Sequence, residues 1–345
     1  MSLKKAYEQF FSMGTSVSWS NMMSEEAKAE LKKHYSSITA ENGMKPMFFL
    51  DEKENLANPE KYHECPALHF ESPRIYLDFA KESGIPLRGH VLVWHSQTPM
   101  WFFKEKYSKE EDAPWASREI MLTRMENYIK GVLEFVQTEY PGVVYAWDVV
   151  NEAVEEREQQ GWRQWSGWYQ SIGEDFLIHA YRFARKYAAP GVKLFYNDYN
   201  TFDTFKKDFI VENILKPLIA EGLVDGMGMQ SHLVLNDLDL DGYKQALYKY
   251  GGLGLEIQVT ELDIHNNDPS EDGLNKLAEA YSELFHILLD AKKNGKANVT
   301  NVTIWGMKDD ESWLTDFRKE TSYSLLFGNN YEPKAAYQAV IDAVK

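Results

Sequence analysis

The sequence predicts an α/β fold, a single (β/α)8 TIM barrel occupying residues 1–345 as one domain. Three observations carry this reading. Short apolar runs of strand character alternate with longer amphipathic segments, and eight such runs recur at spacings of about 25 to 60 residues. No low-complexity tract, Ser/Gly-rich linker or abrupt change of composition marks a domain boundary. The first strand also lacks the glycine-rich phosphate turn that an open doubly wound sheet usually carries there, since only Gly14 is near.

Taken in order, the first strand is read near Phe11 (FSMGTSVSW), followed by a helical pattern over residues 27–35. The second begins near Ile38 (ITAENGMK) and the third near Pro86 (PLRGHVLVW). Residues 121–140 give the clearest helix, with Met121, Met125, Tyr128, Ile129, Val132 and Val136 on one stripe. Pro141-Gly142 stops that helix before the fourth strand, from Val143, and Pro190-Gly191 stops another before the fifth, at Lys193 (KLFYNDYN). The sixth begins near Gly226 (GMGMQSH) and the seventh at Glu256 (EIQVTELDI). After a helical stretch over residues 278–293, the eighth begins near Val299 (VTNVTIWGMK). The tandem sequons at Asn298 and Asn301 belong to this last strand and are expected to be buried in it.

Polar residues gather at the strand ends. Glu41, Asn42 and Lys45 end the second strand, His90, Trp94 and His95 the third, and Asn151 and Glu152 the fourth. Asn197, Asp198 and Asn200 end the fifth, Gln230 and His232 the sixth, Glu261 and Asp263 the seventh, and Trp305 the eighth. In a parallel barrel these ends share one face, where barrel enzymes place their sites. A carboxylate at the mouth of an apolar strand is costly unless something pairs or uses it.

Acids, amides and tryptophans at one barrel mouth suit a carbohydrate, whose hydroxyls take paired hydrogen bonds and whose apolar faces take aromatic rings. Cleaving a glycosidic bond needs a proton for the leaving oxygen and an attacking group opposite. Glu152, beside Trp147, Val149 and Val150, suits the proton donor; the bland alternative is a strand-end carboxylate paired with an arginine. Glu261 has His232 and Asp263 for company, which would keep it ionised and oriented as a nucleophile. The alternatives are a helix cap for Asp263 and a satisfied core histidine for His232. Trp305 and Trp313 are read as sugar-stacking residues, whereas Trp162, Trp165 and Trp168 are read first as anchors of a long loop, with sugar stacking the alternative. His90, His95, His232, Glu261 and Asp263 could instead hold a metal, but no H-x-H pair ends the first strand, so neither metal nor cofactor is expected.

Composition narrows the class further. A net charge of −16 disfavours nucleic acid as a partner and fits an uncharged substrate. No apolar run reaches the length of a membrane span, and the N-terminus has no leader-like apolar stretch, so a cytoplasmic location is expected. Cys65 is the single cysteine, which excludes an intrachain disulfide.

In combination and in this order, ITAENGMK, RGHVLVWHSQTPMWF, AWDVVNEA, NDYN, GMQSH, VTELDI and IWGMKDDESWL resemble the family 10 glycoside hydrolases, the endo-1,4-β-xylanases. The resemblance runs from about Tyr7 to the C-terminus. It implies a retaining enzyme acting on internal bonds of xylan or xylo-oligosaccharides, with Glu152 as acid/base and Glu261 as nucleophile held by His232 and Asp263. It further implies that Glu41, Asn42, Lys45, His90, Trp94, Asn151, Gln230, Trp305 and Trp313 surround the glycone sugars, with Tyr199 towards the leaving group. The absence of a leader resembles the intracellular members. Pro46 and Met47 depart from the tryptophan and glutamate that many members carry there. The readings left beside it are another retaining barrel β-glycosidase of cellulase-like type, and a non-catalytic or metal-dependent barrel.

Overall fold

The computed structural model describes residues 1–158 and 160–345. Its strands are β1 (Ser12–Val17), β2 (Ser37–Ala40), β3 (Leu87–Gly89), β4 (Val93–Trp94), β5 (Val144–Asn151), β6 (Lys193–Asp198), β7 (Gly226–Met229), β8 (His232–Val234), β9 (Glu256–His265) and β10 (Asn298–Ile304). These parallel strands, alternating with helices, give the expected (β/α)8 TIM-barrel fold, with β3 and β4 dividing one barrel strand and β7 and β8 another. By internal packing the chain divides into two compact units, one of residues 1–41, 199–207 and 226–345, the other of residues 42–198 and 208–225.

In the first unit β7, β9, β10, β1 and β2 pair side by side, all parallel, and β8 continues alongside β9. Gly14 of β1 is where neighbouring side chains need room: a Cβ there would come within 2.5 Å of Ser37 Oγ and 2.8 Å of Thr303 Oγ1. Asn301 donates to Ser37 Oγ at 2.7 Å and accepts from Thr303 at 2.7 Å, so this part of the barrel interior is hydrogen-bonded rather than purely apolar. The helix Glu271–Lys293 buries Leu277, Tyr281, Leu284, Phe285 and Leu288 and starts on a Ser270 cap that accepts from Gly273 N–H. Asn301 is buried as expected, but Asn298 is exposed, because it opens β10 before that strand enters the core, and its side chain takes a hydrogen bond from Lys292.

In the second unit β3, β5 and β6 pair in parallel, with β4 also against β5. The third strand, expected as one run, is broken after Gly89. The Val91 N–H turns to Met44 C=O and the Leu92 N–H to Asp148 C=O before pairing resumes at β4. The Trp147 ring fills the space beside Gly89, where a Cβ would meet it at 2.3 Å. The helix Arg118–Glu139 buries all six residues of the expected stripe, and its Ser117 cap accepts from Ile120 N–H. Gly142 and Gly191, with φ of 76° and 89°, make the stops before β5 and β6. Among the described residues, no helix is long and apolar enough to cross a membrane.

Candidate active site

In the first unit, β8 and β9 run in parallel with His232 in register with Asp263. That register brings the imidazole between two carboxylates: Nε2 lies 3.2 Å from Glu261 Oε2 and Nδ1 lies 2.9 Å from Asp263 Oδ1. Trp313 then donates its indole N–H to Asp263 Oδ2 at 2.9 Å. Burial acts against a charge on His232, but the attraction and hydrogen bonds of Asp263 and Glu261 outweigh it and push its pKa up to about 10. At neutral pH it is therefore an imidazolium donating from both nitrogens. Asp263 is fully buried and Glu261 nearly so, so both gain from a partner of opposite charge.

The backbone supports this arrangement. Glu261 N–H bonds to Gln230 C=O at 3.0 Å. Ser231 takes a left-handed φ of 66°, and its hydroxyl donates to Met229 C=O and meets Tyr243 OH at 2.8 Å. Trp305 is buried, with its ring 6.3 Å from that of His232. Trp313 is closer, at 4.9 Å. Glu41 follows β2, its N–H bonded to Val17 C=O. Tyr199 lies under the Lys206 ammonium, 3.4 Å from its ring centre.

In the second unit Glu152 stands just past β5 with a left-handed φ of 56°, its N–H bonded to Asn197 C=O. A glutamate in that conformation is uncommon, and such strain concentrates at functional sites. Its Oε1 accepts from Asn151 Nδ2 at 3.1 Å, and Asn151 accepts in turn from Asn197 at 3.0 Å. His95 Nε2 lies 3.9 Å from Oε2. These neighbours are polar; of the expected apolar company, Val150 lines the same cavity as Glu152, whereas Trp147 packs towards Phe49. Lys45 donates to Asn42 at 3.0 Å and sits 4.8 Å over the Trp94 ring. The buried indole nitrogen of Trp94 has no hydrogen-bond partner among the described residues. His90 is buried, with Nδ1 2.9 Å from Asp148 Oδ2.

Two features escaped sequence reasoning. Asp148 also forms a two-pronged ion pair with Arg88, both fully buried, and only the single charge inside each otherwise uncharged strand hinted at it. Arg163 reaches back to Glu152 C=O and the Glu155 carboxylate, which no local pattern announces. Among the described residues, no cluster of three His, Cys, Asp or Glu side chains is arranged to hold a metal ion.

The profile of glycosyl hydrolase family 10 matches residues 2–343. The chain belongs to glycosyl hydrolase family 10. This family 10 chain is 53% identical over 343 residues to endo-1,4-beta-xylanase B of Butyrivibrio fibrisolvens, covering 99% of the chain and 53% of that relative. It is 39% identical over 348 residues to endo-1,4-beta-xylanase A of Thermotoga neapolitana, covering 98% of the chain and 30% of the relative. The chain thus spans only about half, or less, of the length of these relatives. Among solved structures it resembles the N-terminal modules of endo-1,4-beta-D-xylanase 10B of Clostridium thermocellum, complexed with xylohexaose. The TM-score is 0.89 at 35% identity, over 100% of this chain and 68% of that one.

Proposed function

We propose that this family 10 chain is a retaining endo-β-1,4-xylanase that cleaves internal bonds of xylan and xylo-oligosaccharides by double displacement. The observation that carries the proposal is the hydrogen-bonded chain Glu261–His232–Asp263–Trp313. A carboxylate fixed by an imidazolium is ionised and aimed, as a nucleophile must be. Glu261 attacks the anomeric carbon while Glu152 gives its proton to the departing glycosidic oxygen, leaving a covalent glycosyl-enzyme. Glu152, now a carboxylate, takes a proton from water, whose oxygen attacks the same carbon and frees Glu261. Two inversions restore the original anomer.

Xylan as substrate is supported by the names of the relatives and by the xylohexaose bound to the Clostridium thermocellum modules. The net charge of −16 favours an uncharged chain over nucleic acid. A cytoplasmic site of action is part of the same proposal, supported by a lone, exposed Cys65 that suits a reducing compartment. Glu261→Ala is expected to abolish xylan cleavage while calorimetry still detects xylo-oligosaccharide binding. NMR of the wild-type reaction should show the β-anomer first. Near-normal turnover by the variant, or an α-anomer first, would sink the mechanism.

A further inference from the structure

The segment after β5, ending in the helix Gly167–Ile172, carries three tryptophans with different environments. Trp168 is buried and donates its indole N–H to Trp94 C=O at 3.1 Å. Trp162 packs edge-on against Phe209, with ring centres 5.2 Å apart. Trp165 is 51% exposed, and its ring meets that of His95 edge-on at 4.7 Å. His95 is the imidazole that borders the Glu152 carboxyl group.

The position of Trp165 is fixed by its neighbours. Arg163 is buried; its Nε donates to Glu152 C=O at 2.9 Å, its Nη1 to the Glu155 carboxylate at 2.7 Å and its Nη2 to Val154 C=O at 3.2 Å. The same guanidinium lies 5.1 Å from the centre of the Trp165 ring. An antiparallel bridge between Val154 and Trp162 ties the base of the loop. Trp165 is therefore mounted on an arginine bonded to the backbone of Glu152 itself. A held, half-open indole beside a proton donor is prepared for an apolar ligand face, because little conformational entropy remains to be lost on binding.

We propose that Trp165 is a stacking platform for the sugar on the leaving-group side of the bond, beside Glu152. The proposal rests on the retaining-glycosidase reading above. The glycosidic oxygen must come within hydrogen-bond reach of Glu152. The sugar attached to it then enters the neighbourhood that His95 and Trp165 border, and the apolar face of a pyranose suits an indole.

The experiment separates the two sides of the bond. With 2-deoxy-2-fluoro-xylobiosyl fluoride, Glu261 displaces fluoride and the glycosyl-enzyme accumulates without any leaving-group sugar. Added xylobiose then releases it: an acceptor hydroxyl attacks the anomeric carbon, its proton passes to Glu152, and the bond to Glu261 breaks. In Trp165→Ala, xylobiose-dependent release should fall about three- to tenfold, the range expected for one aromatic contact. The rate of trapping should change by less than about twofold, and Trp165→Phe should recover most of the release. Unchanged release, or equal loss in trapping and release, would overturn the platform. A wild-type enzyme that is never trapped would show instead that the retaining reading has failed, and the platform with it.

Discussion

Glu261 lies within β9 and Glu152 just past β5, and this difference sets what each carboxylate touches. Glu261 faces an imidazolium that favours its ionised form. Glu152 faces an amide, Asn151, and a more distant imidazole, His95. The first surroundings suit a fixed charge. Removing the proton donor harms substrates according to how much they need the proton. In Glu152→Ala, hydrolysis of xylobiosides with unactivated leaving groups should fall by about 10²- to 10⁴-fold, while glycosylation by a dinitrophenyl xylobioside stays close to normal. Equal losses on both, in pre-steady-state kinetics, would remove Glu152 from the acid role.

At the scale of elements, β3 and β5 are joined by more than their ladder. The ion pair of Arg88 and Asp148 is buried within the second unit, and Asp148 also holds His90. Such a pair costs desolvation to form, yet removing one member leaves the other charge buried without it. Asp148→Ala should therefore destabilise the protein by about 3–5 kcal/mol. Urea unfolding is the measurement, and a loss below about 1 kcal/mol would show that Arg88 readily finds other partners. A second strap lies at the end of β9: His265 meets Ser322 Oγ at 2.9 Å and Glu320 at 3.1 Å. These bonds secure the chain that follows the helix Trp313–Arg318, and so help to hold the indole that supports Asp263.

For the whole molecule, the raised pKa of His232 makes stability depend on pH. Its value is about 10 in the folded state, against an ordinary 6.5. The folded state thus binds the proton more tightly than the unfolded chain. Its contribution is complete below pH 6.5, declines above that value and is lost as pH rises through about 10. Thermal midpoints should fall over this interval, and His232→Asn should flatten that stretch of the profile. Parallel profiles for the two proteins would mean that the imidazolium adds no net stability.

The barrel was legible in the chain because parallel strands buried on both faces leave continuous apolar runs, and Pro-Gly stops mark where helices end. The polar strand ends were legible for the same reason, since they interrupt otherwise apolar runs. Glu261, His232 and Asp263 could be grouped from sequence because β8 and β9 are neighbours in register. Partnerships between distant segments could not. Arg88 and Asp148 are 60 residues apart, and His265 and Ser322 are 57 apart. Sequence shows that a buried charge needs a partner but not which distant segment brings one. The break between β3 and β4 and the different environments of Trp162, Trp165 and Trp168 were decided in the same way. Each depends on where a backbone donor or an indole finds space and a partner, and packing alone sets that.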